Sequence, residues 1–236
     1  MPSRLAVVIL LLAVPAPAQT VDELIARHVE ARGGMANLRA IQTVRIERTV
    51  AALFNDLDLV VYKKRPNLYR SEQTPEGSQT PVVRVFSDEA WETAKGKTVV
   101  RQGAGAVEQR EVDGDFDGFL IDYRDKGHTI ALEGRQRAGA VEAWKLKVTM
   151  KSGAVRYVYL DAATLLERRH EATIEVAPNR RVATTITFGD WRDIEGVKFP
   201  FAIEEERDAP GQTFVFYTKK IEVNVPIDDA IFRMPS

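Results

Sequence analysis

The sequence predicts a mainly β protein: one antiparallel sheet in one domain, with short helices at its N-terminal side. Three observations predict it. From Thr43 onward, apolar residues recur with period two. Turn signals separate these runs about every dozen residues, too closely for crossover helices, which excludes an alternating βαβ plan. One stretch, Ala104 to Lys126, breaks the alternation and reads as a loop with helical turns closed by Gly127. The chain shows no internal repeat, low-complexity tract or linker, so residues 19–236 read as a single domain.

The first eighteen residues stand apart. Arg4 is their only charge, Leu5 to Val14 is apolar, and Pro15-Ala16-Pro17-Ala18 carries small residues at the A-x-A spacing. This is the pattern of a secretory signal peptide over residues 1–18, with the mature chain starting near Gln19. The apolar run is too short to span a bilayer, which takes about 20 residues. The chain has no Cys, hence no disulfide framework, no thiol nucleophile and no site for a lipid anchor. A secreted, soluble protein is the expectation. The net charge of −1 builds no strong field, which argues against nucleic acid as a partner.

The elements follow in order. In TVDELIARHVEARGG, Thr20 or Asp22 caps a helix whose Leu24, Ile25, His28 and Val29 share a face, and Gly33-Gly34 stop it. A second helical turn is predicted over Met35–Ile41. DLDLVVYKK, PVVRVF and KTVVRQ read as strands. In EAWKLKVTM, Trp144, Leu146, Val148 and Met150 face one way, and Lys145, Lys147 and Thr149 the other. VRYVYL returns after the turn at Lys151-Ser152-Gly153. RRHEATIEV, RRVATTITF, VKFPFAIEEE and TFVFYTKKIEVNV complete the sheet. Pro178-Asn179, Glu195-Gly196 and Ala209-Pro210-Gly211 are the turns between them.

The candidates for chemistry are few. DGDFDG, Asp113 to Gly118, matches the first half of a calcium loop, in which alternate carboxylates converge on a hard cation. The loop also needs a bidentate Glu at its twelfth position, and that residue is Arg124. A solvated acidic turn packed by Phe116, Phe119 and Leu120 is the preferred reading, with no metal at Asp113, Asp115 or Asp117. His28, His128 and His170 show no metal-ligand spacing. There is no G-x-S-x-G and no phosphate loop. No nucleophile, base or metal set stands out, so no enzyme and no cofactor are predicted.

What remains is apolar. Trp144, Leu146, Val148, Met150, Tyr157, Tyr159, Ile186, Phe188, Phe199, Phe201, Phe214 and Phe216 recur at strand parity. Two readings fit: an interlocked core, or the wall of a ligand space. They differ in a test, since Val148→Phe would be tolerated in a cavity and harmful in a packed core.

DLDLVVYKKRPNLYRSEQ followed by VVRVFSDEAWE resembles the periplasmic lipoprotein carriers of the LolA/LolB type. The most specific stretch is Lys64-Arg65-Pro66-Asn67, then Leu68 and Tyr69, with the Ser87-Asp88-Glu89 turn. ELIARHVEARGG, FDGFLIDYRDKG, DWRDIEGVKFPF and VNVPIDDAIFRMP are similar to a broader lipoprotein-sorting-like group. The turn has Glu89 where that family usually has Gly. The resemblance implies an unclosed antiparallel β half-barrel with helices across its concave face. It implies a monomeric carrier or chaperone for acyl chains of lipoproteins or lipids, exchanging cargo with a membrane-bound donor or acceptor protein. The alternative on the same fold is a sensor that signals through a protein partner.

Overall fold

The computed structural model describes residues 19–52, 56–177, 180–208 and 212–235. Residues 1–18, and with them the predicted signal peptide, lie outside the described residues, as do the turns at 178–179 and 209–211.

Helix α1 spans Val21–Ala31. The Thr20 hydroxyl accepts from the Glu23 backbone N–H, and the Glu23 carboxylate accepts from the Thr20 N–H, a reciprocal capping box. Leu24, Ile25, His28 and Val29 are its buried face, as their spacing requires. Gly33, with φ near +124°, ends the helix against the hairpin of a later strand pair. A Cβ there would lie 1.9 Å from the Gly196 carbonyl oxygen, so only glycine fits. Helix α2, Met35–Ala40, follows at once.

The described residues form thirteen strands: β1 Thr43–Ala52, β2 Leu57–Lys64, β3 Leu68–Pro75, β4 Val82–Phe86, β5 Ala90–Ala94, β6 Lys97–Val100, β7 Thr129–Ala138, β8 Val141–Thr149, β9 Val155–Asp161, β10 Glu167–Ala177, β11 Arg180–Ile194, β12 Val197–Arg207 and β13 Thr213–Val223. They make one antiparallel sheet in the order β6-β5-β4-β3-β2-β1-β13-β12-β11-β10-β9-β8-β7. All strands consecutive in the chain pair except β6 and β7, and the pairing of β1 with β13 joins the two halves. The edges are therefore β6 and β7. These are consecutive in the chain, and the sheet is open between them. The segment that links them must cross from one edge to the other. It contains α3, Ala104–Gln109, a π-helical turn at Arg110–Gly114, and the loop to His128.

This crossing segment and the N-terminal helices cover one face of the sheet. In the middle, Val44, Ile46, Val50, Leu59, Val61, Ile221 and Val223 meet Val29 of α1, Leu38 of α2 and Ile121. Toward the β7 edge, Leu146, Val148, Met150, Val158 and Leu160 meet Leu24, Ile25, Phe119 and Leu120. The opposite face is closed locally near β4 by a C-terminal 3₁₀ turn, Asp229–Phe232, whose Phe232 packs on Val83, Val85 and Trp91. The result is the open half-barrel, roofed by helices, that the resemblance implied.

Sequence and structure differ in two places. β11 continues through Trp191 to Ile194, past the end of RRVATTITF, because its pairing with β12 keeps one register from Thr184 to Ile194 despite the positive φ of Asp190 (50°). β7 forms the second edge in a stretch where no strand was predicted. Its apolar positions are irregular, with a register shift between Leu132 and Gly134.

Candidate functional site, the roofed concave face

Pairing registers place each predicted wall residue on a face. Side chains aligned across neighbouring strands share a face. Trp144, Leu146, Val148 and Met150 point toward the roof, with Val158 and Leu160 beside them. They do not line a free space. Leu146 and Val148 are 0% exposed and interlock with Leu24 and Ile25 of α1. This corrects the cavity reading for β8: α1 lies directly on that strand. Tyr157 and Tyr159 pair with Lys147 and Lys145 and therefore lie on the other, convex face. There the Lys145 ammonium sits 4.3 Å from the Tyr157 ring centre, and the Tyr159 hydroxyl donates to Glu171. Their assignment to the cavity fails because Arg156, Val158 and Leu160, not the tyrosines, carry the inward parity of β9.

The remaining residues gather on the concave face of β11–β13. Phe188, Ile203 and Phe216 align across three strands and continue into Val50 of β1 and Leu57 of β2. Ile186 and Phe214 flank Glu205 in the next row. Ile186, Phe188, Ile203, Phe214 and Phe216 are only half-buried, unlike the β8 wall. Phe199 and Phe201 continue the same face toward α2, where Phe201 is buried in the central core. The His170 ring joins this wall to the roof, 4.7 Å from Phe188 and 5.5 Å from Phe119.

Charged groups share this face. Arg48 aligns with Leu59 and Thr218, Lys63 with Val44 and Tyr69, Arg84 with Ser71, and Arg156 with Val148 and Ala172. Asp113, on the π-helical turn of the roof, is influenced by Lys63, Arg156, Glu205 and Arg84, which stand on four different strands. It keeps much of its surface free, yet burial holds its carboxyl above the ordinary carboxylate range. Burial likewise lowers the Lys63 amine to about 8 and raises the Tyr69 phenol. Lys63 donates to the Asp115 carbonyl at 2.7 Å.

The three aspartates of DGDFDG do not converge. Asp115 accepts from the Lys126 ammonium at 2.7 and 2.9 Å, and Asp117 takes Arg65 in a two-pronged pair at 2.6 and 2.8 Å. Arg124, at the twelfth position, pairs with Asp22 of α1. Arg65 also donates to the last carbonyls of the α2 segment, Leu38 and Ile41, and stacks 4.3 Å from the Phe116 ring centre. The Asn67 side chain accepts from the Phe116 N–H. Arg65-Pro66-Asn67 thus follows β2 as a clasp that fastens the roof loop to the barrel. Pro66 stands at the end of the strand, as its missing N–H requires. Sequence reasoning named both motifs and missed that one holds the other. The signal was only the opposite charge of Arg65 and Asp117.

One further groove, about 580 Å³, runs on the outer side of the roof between α1 and Ile121–Asp125. None of the predicted wall residues lines it.

No protein-family model matches this sequence, and no curated protein matches it either. Solved structures do. A LolA-superfamily protein from Nitrosomonas europaea aligns with a TM-score of 0.61 at 14% identity, over 92% of this chain and 99% of that one. A DUF1329-family protein from Desulfovibrio piger aligns at 0.60 and 14% identity, over 90% and 97%. A domain named for outer-membrane lipoprotein sorting, from Vibrio parahaemolyticus, aligns at 0.58 and 10% identity, over 90% and 97%. The fold is that of the LolA-like half-barrels, matched nearly end to end.

Proposed function

We propose that this protein is a carrier or chaperone that buries the acyl chain of a lipoprotein or lipid between the half-barrel and its roof. The observation that carries the reading is the half-buried apolar row Phe188, Ile203, Phe216, aligned on the inward face of β11–β13 and less covered than the β8 wall. Each buried CH₂ contributes about 0.8 kcal/mol, so part of an acyl chain suffices to hold a cargo. Release requires the roof to lift, and polar clasps hold it to the barrel: Arg65–Asp117, Arg181–Glu108 and Ser152–Glu111. Such pairs part more readily in water than an apolar seam. The lipoprotein-sorting name of one structural neighbour accords with this role. Among the described residues no helix is long and apolar enough to cross a membrane. The reading places the protein in the periplasm as a non-enzymatic monomer that meets a membrane-bound donor or acceptor.

Native mass spectrometry of protein purified from its own periplasm tests this. Co-purifying lipid or acylated peptide supports the carrier. Protein that emerges empty and takes up no long-chain lipid probe when offered one sinks it.

A further inference from the structure

Two buried polar groups on the concave face have no partner. Arg156 of β9 is 6% exposed, and among the described residues its guanidinium makes no hydrogen bond and no ion pair. Thr184 of β11 is 4% exposed, and its hydroxyl is also unpartnered. They are not scattered. Arg156 aligns with Ala172 of β10, and Ala172 aligns with Thr184. The two groups therefore stand two strands apart on one row, about 10 Å between their backbones. The residue between them is reduced to a methyl group. A long guanidinium and a hydroxyl flank a gap with apolar walls.

The acids that act on Arg156 are Asp113, Glu108 and Glu111. Two of them are engaged elsewhere: Glu108 holds Arg181 at 2.8 and 3.1 Å, and Glu111 holds Ser152. Asp113 belongs to the roof and makes no ion pair with Arg156. A buried arginine cannot shed its charge, and these acids offset its desolvation only in part, through space and without a hydrogen bond. Such groups call for an explanation, and a ligand that completes them supplies one. The next rows inward are Ile186–Glu205–Phe214 and then Phe188–Ile203–Phe216, a continuous path for a tail. Glu205 is kept by Arg207 at 2.6 Å and does not compete for Arg156.

We infer that the half-barrel takes an amphiphile with an anionic head group, a carboxylate or a phosphate, whose oxygens accept from Arg156 and Thr184 across Ala172 while its tail lies along Ile186, Phe188 and Phe216. This rests on the carrier reading and deepens it: the site selects for head-group charge as well as for chain length.

The test is displacement of a bound fluorescent long-chain probe from the full protein by palmitic acid, hexadecanol and dipalmitoyl phosphatidic acid. The wild type binds at least one of the two anions about tenfold more tightly than the alcohol, the scale of a charge-assisted hydrogen-bond pair. Arg156→Met brings that ratio close to one, and Thr184→Val reduces it about threefold. Arg156→Met without ligand melts at the same temperature as the wild type or higher, since a lone buried cation is removed. Preference for palmitic acid alone marks a free fatty acid as the source, and preference for phosphatidic acid alone a phospholipid. If the alcohol binds as well as both anions, the inference is overturned and the carrier reading stands. If no compound displaces the probe because the probe itself does not bind, both fall. Should Arg156→Met not fold, Arg156 is structural, and an unchanged ratio in Thr184→Val overturns the inference.

Discussion

Two parts of one concave face carry nearly the same pattern and behave differently. On β8 and β9, Leu146, Val148, Val158 and Leu160 are fully buried beneath α1. On β11 to β13, Phe188, Ile203 and Phe216 have the same inward parity and remain half-buried. Larger side chains stand in the less buried region. Alternation decides only which side of a sheet a residue faces. What closes over that side depends on where the chain sends its helices. Here α1, with Phe119 and Leu120 of the crossing segment, rests on one wall, and the earlier part of that segment runs toward β3 and β4.

The strongest way to break this comparison is charge insertion. Leu160→Asp should destabilise by about 3–5 kcal/mol, since the carboxylate has no water to meet and its cross-strand neighbour is another acid, Glu167. Phe216→Asp should cost less than half as much, because that region admits solvent. Urea denaturation of both variants checks it, and equal losses would mean that both walls are packed alike.

The roof over the open wall can be loosened separately. Arg65→Ala removes the Asp117 pair, two carbonyl bonds and the Phe116 stack. A loss of about 2–3 kcal/mol is expected. Hydrogen exchange should rise across residues 115–127 first and leave β8 protected, because α1 keeps its own apolar seat.

A volume scan sharpens the contrast. Val148→Phe should cost about 1–3 kcal/mol by overpacking against α1, whereas Ile203→Phe should cost under about 1 kcal/mol. The melting temperatures of the two variants, measured side by side, decide this. The reverse order would return Val148 to a ligand space and make the aromatic row the core.

The smallest effect is expected from pH. Burial keeps His28 below its ordinary value of 6.5, so it is neutral in the folded chain, with its Nδ1 2.8 Å from the Leu165 carbonyl. The unfolded chain gains a proton on this side chain near pH 6.5, and the folded chain does so only at lower pH. Stability from this group is thus full above about 6.5 and is lost as the pH falls below it. Between pH 7.5 and 5.5 the melting temperature should drop, and the drop should be smaller in His28→Leu. An equal drop in both would place the titration elsewhere.

Much of the fold could be read in advance. The capping box of α1, the Gly33–Gly34 stop, the strand alternation and the strand end at Pro66 depend on neighbours within a few residues, where propensity and periodicity act. The crossing segment was legible as a break in period. β7 was not, because an edge strand with one partner needs little apolar order. The site was half legible. Parity identified the inward residues of β8, β11, β12 and β13, but a choice of the bulkier side chains in VRYVYL picked Tyr157 and Tyr159, which face outward. Arg156 alternates in phase with Val158 and Leu160, so parity alone points it inward, against the rule that arginine is seldom buried.

The sequence by itself determined the elements, their turns and the two faces of each strand, because these follow from backbone sterics and from interactions between residues close in the chain. Only the tertiary structure decided which inward face is fully buried and which stays half-buried, and that DGDFDG is fastened by Arg65 and Lys126. It alone set Arg156 and Thr184 on one row, unpartnered. Those outcomes depend on the register of strands dozens of residues apart and on the path of a segment that links two sheet edges, and no local pattern encodes either.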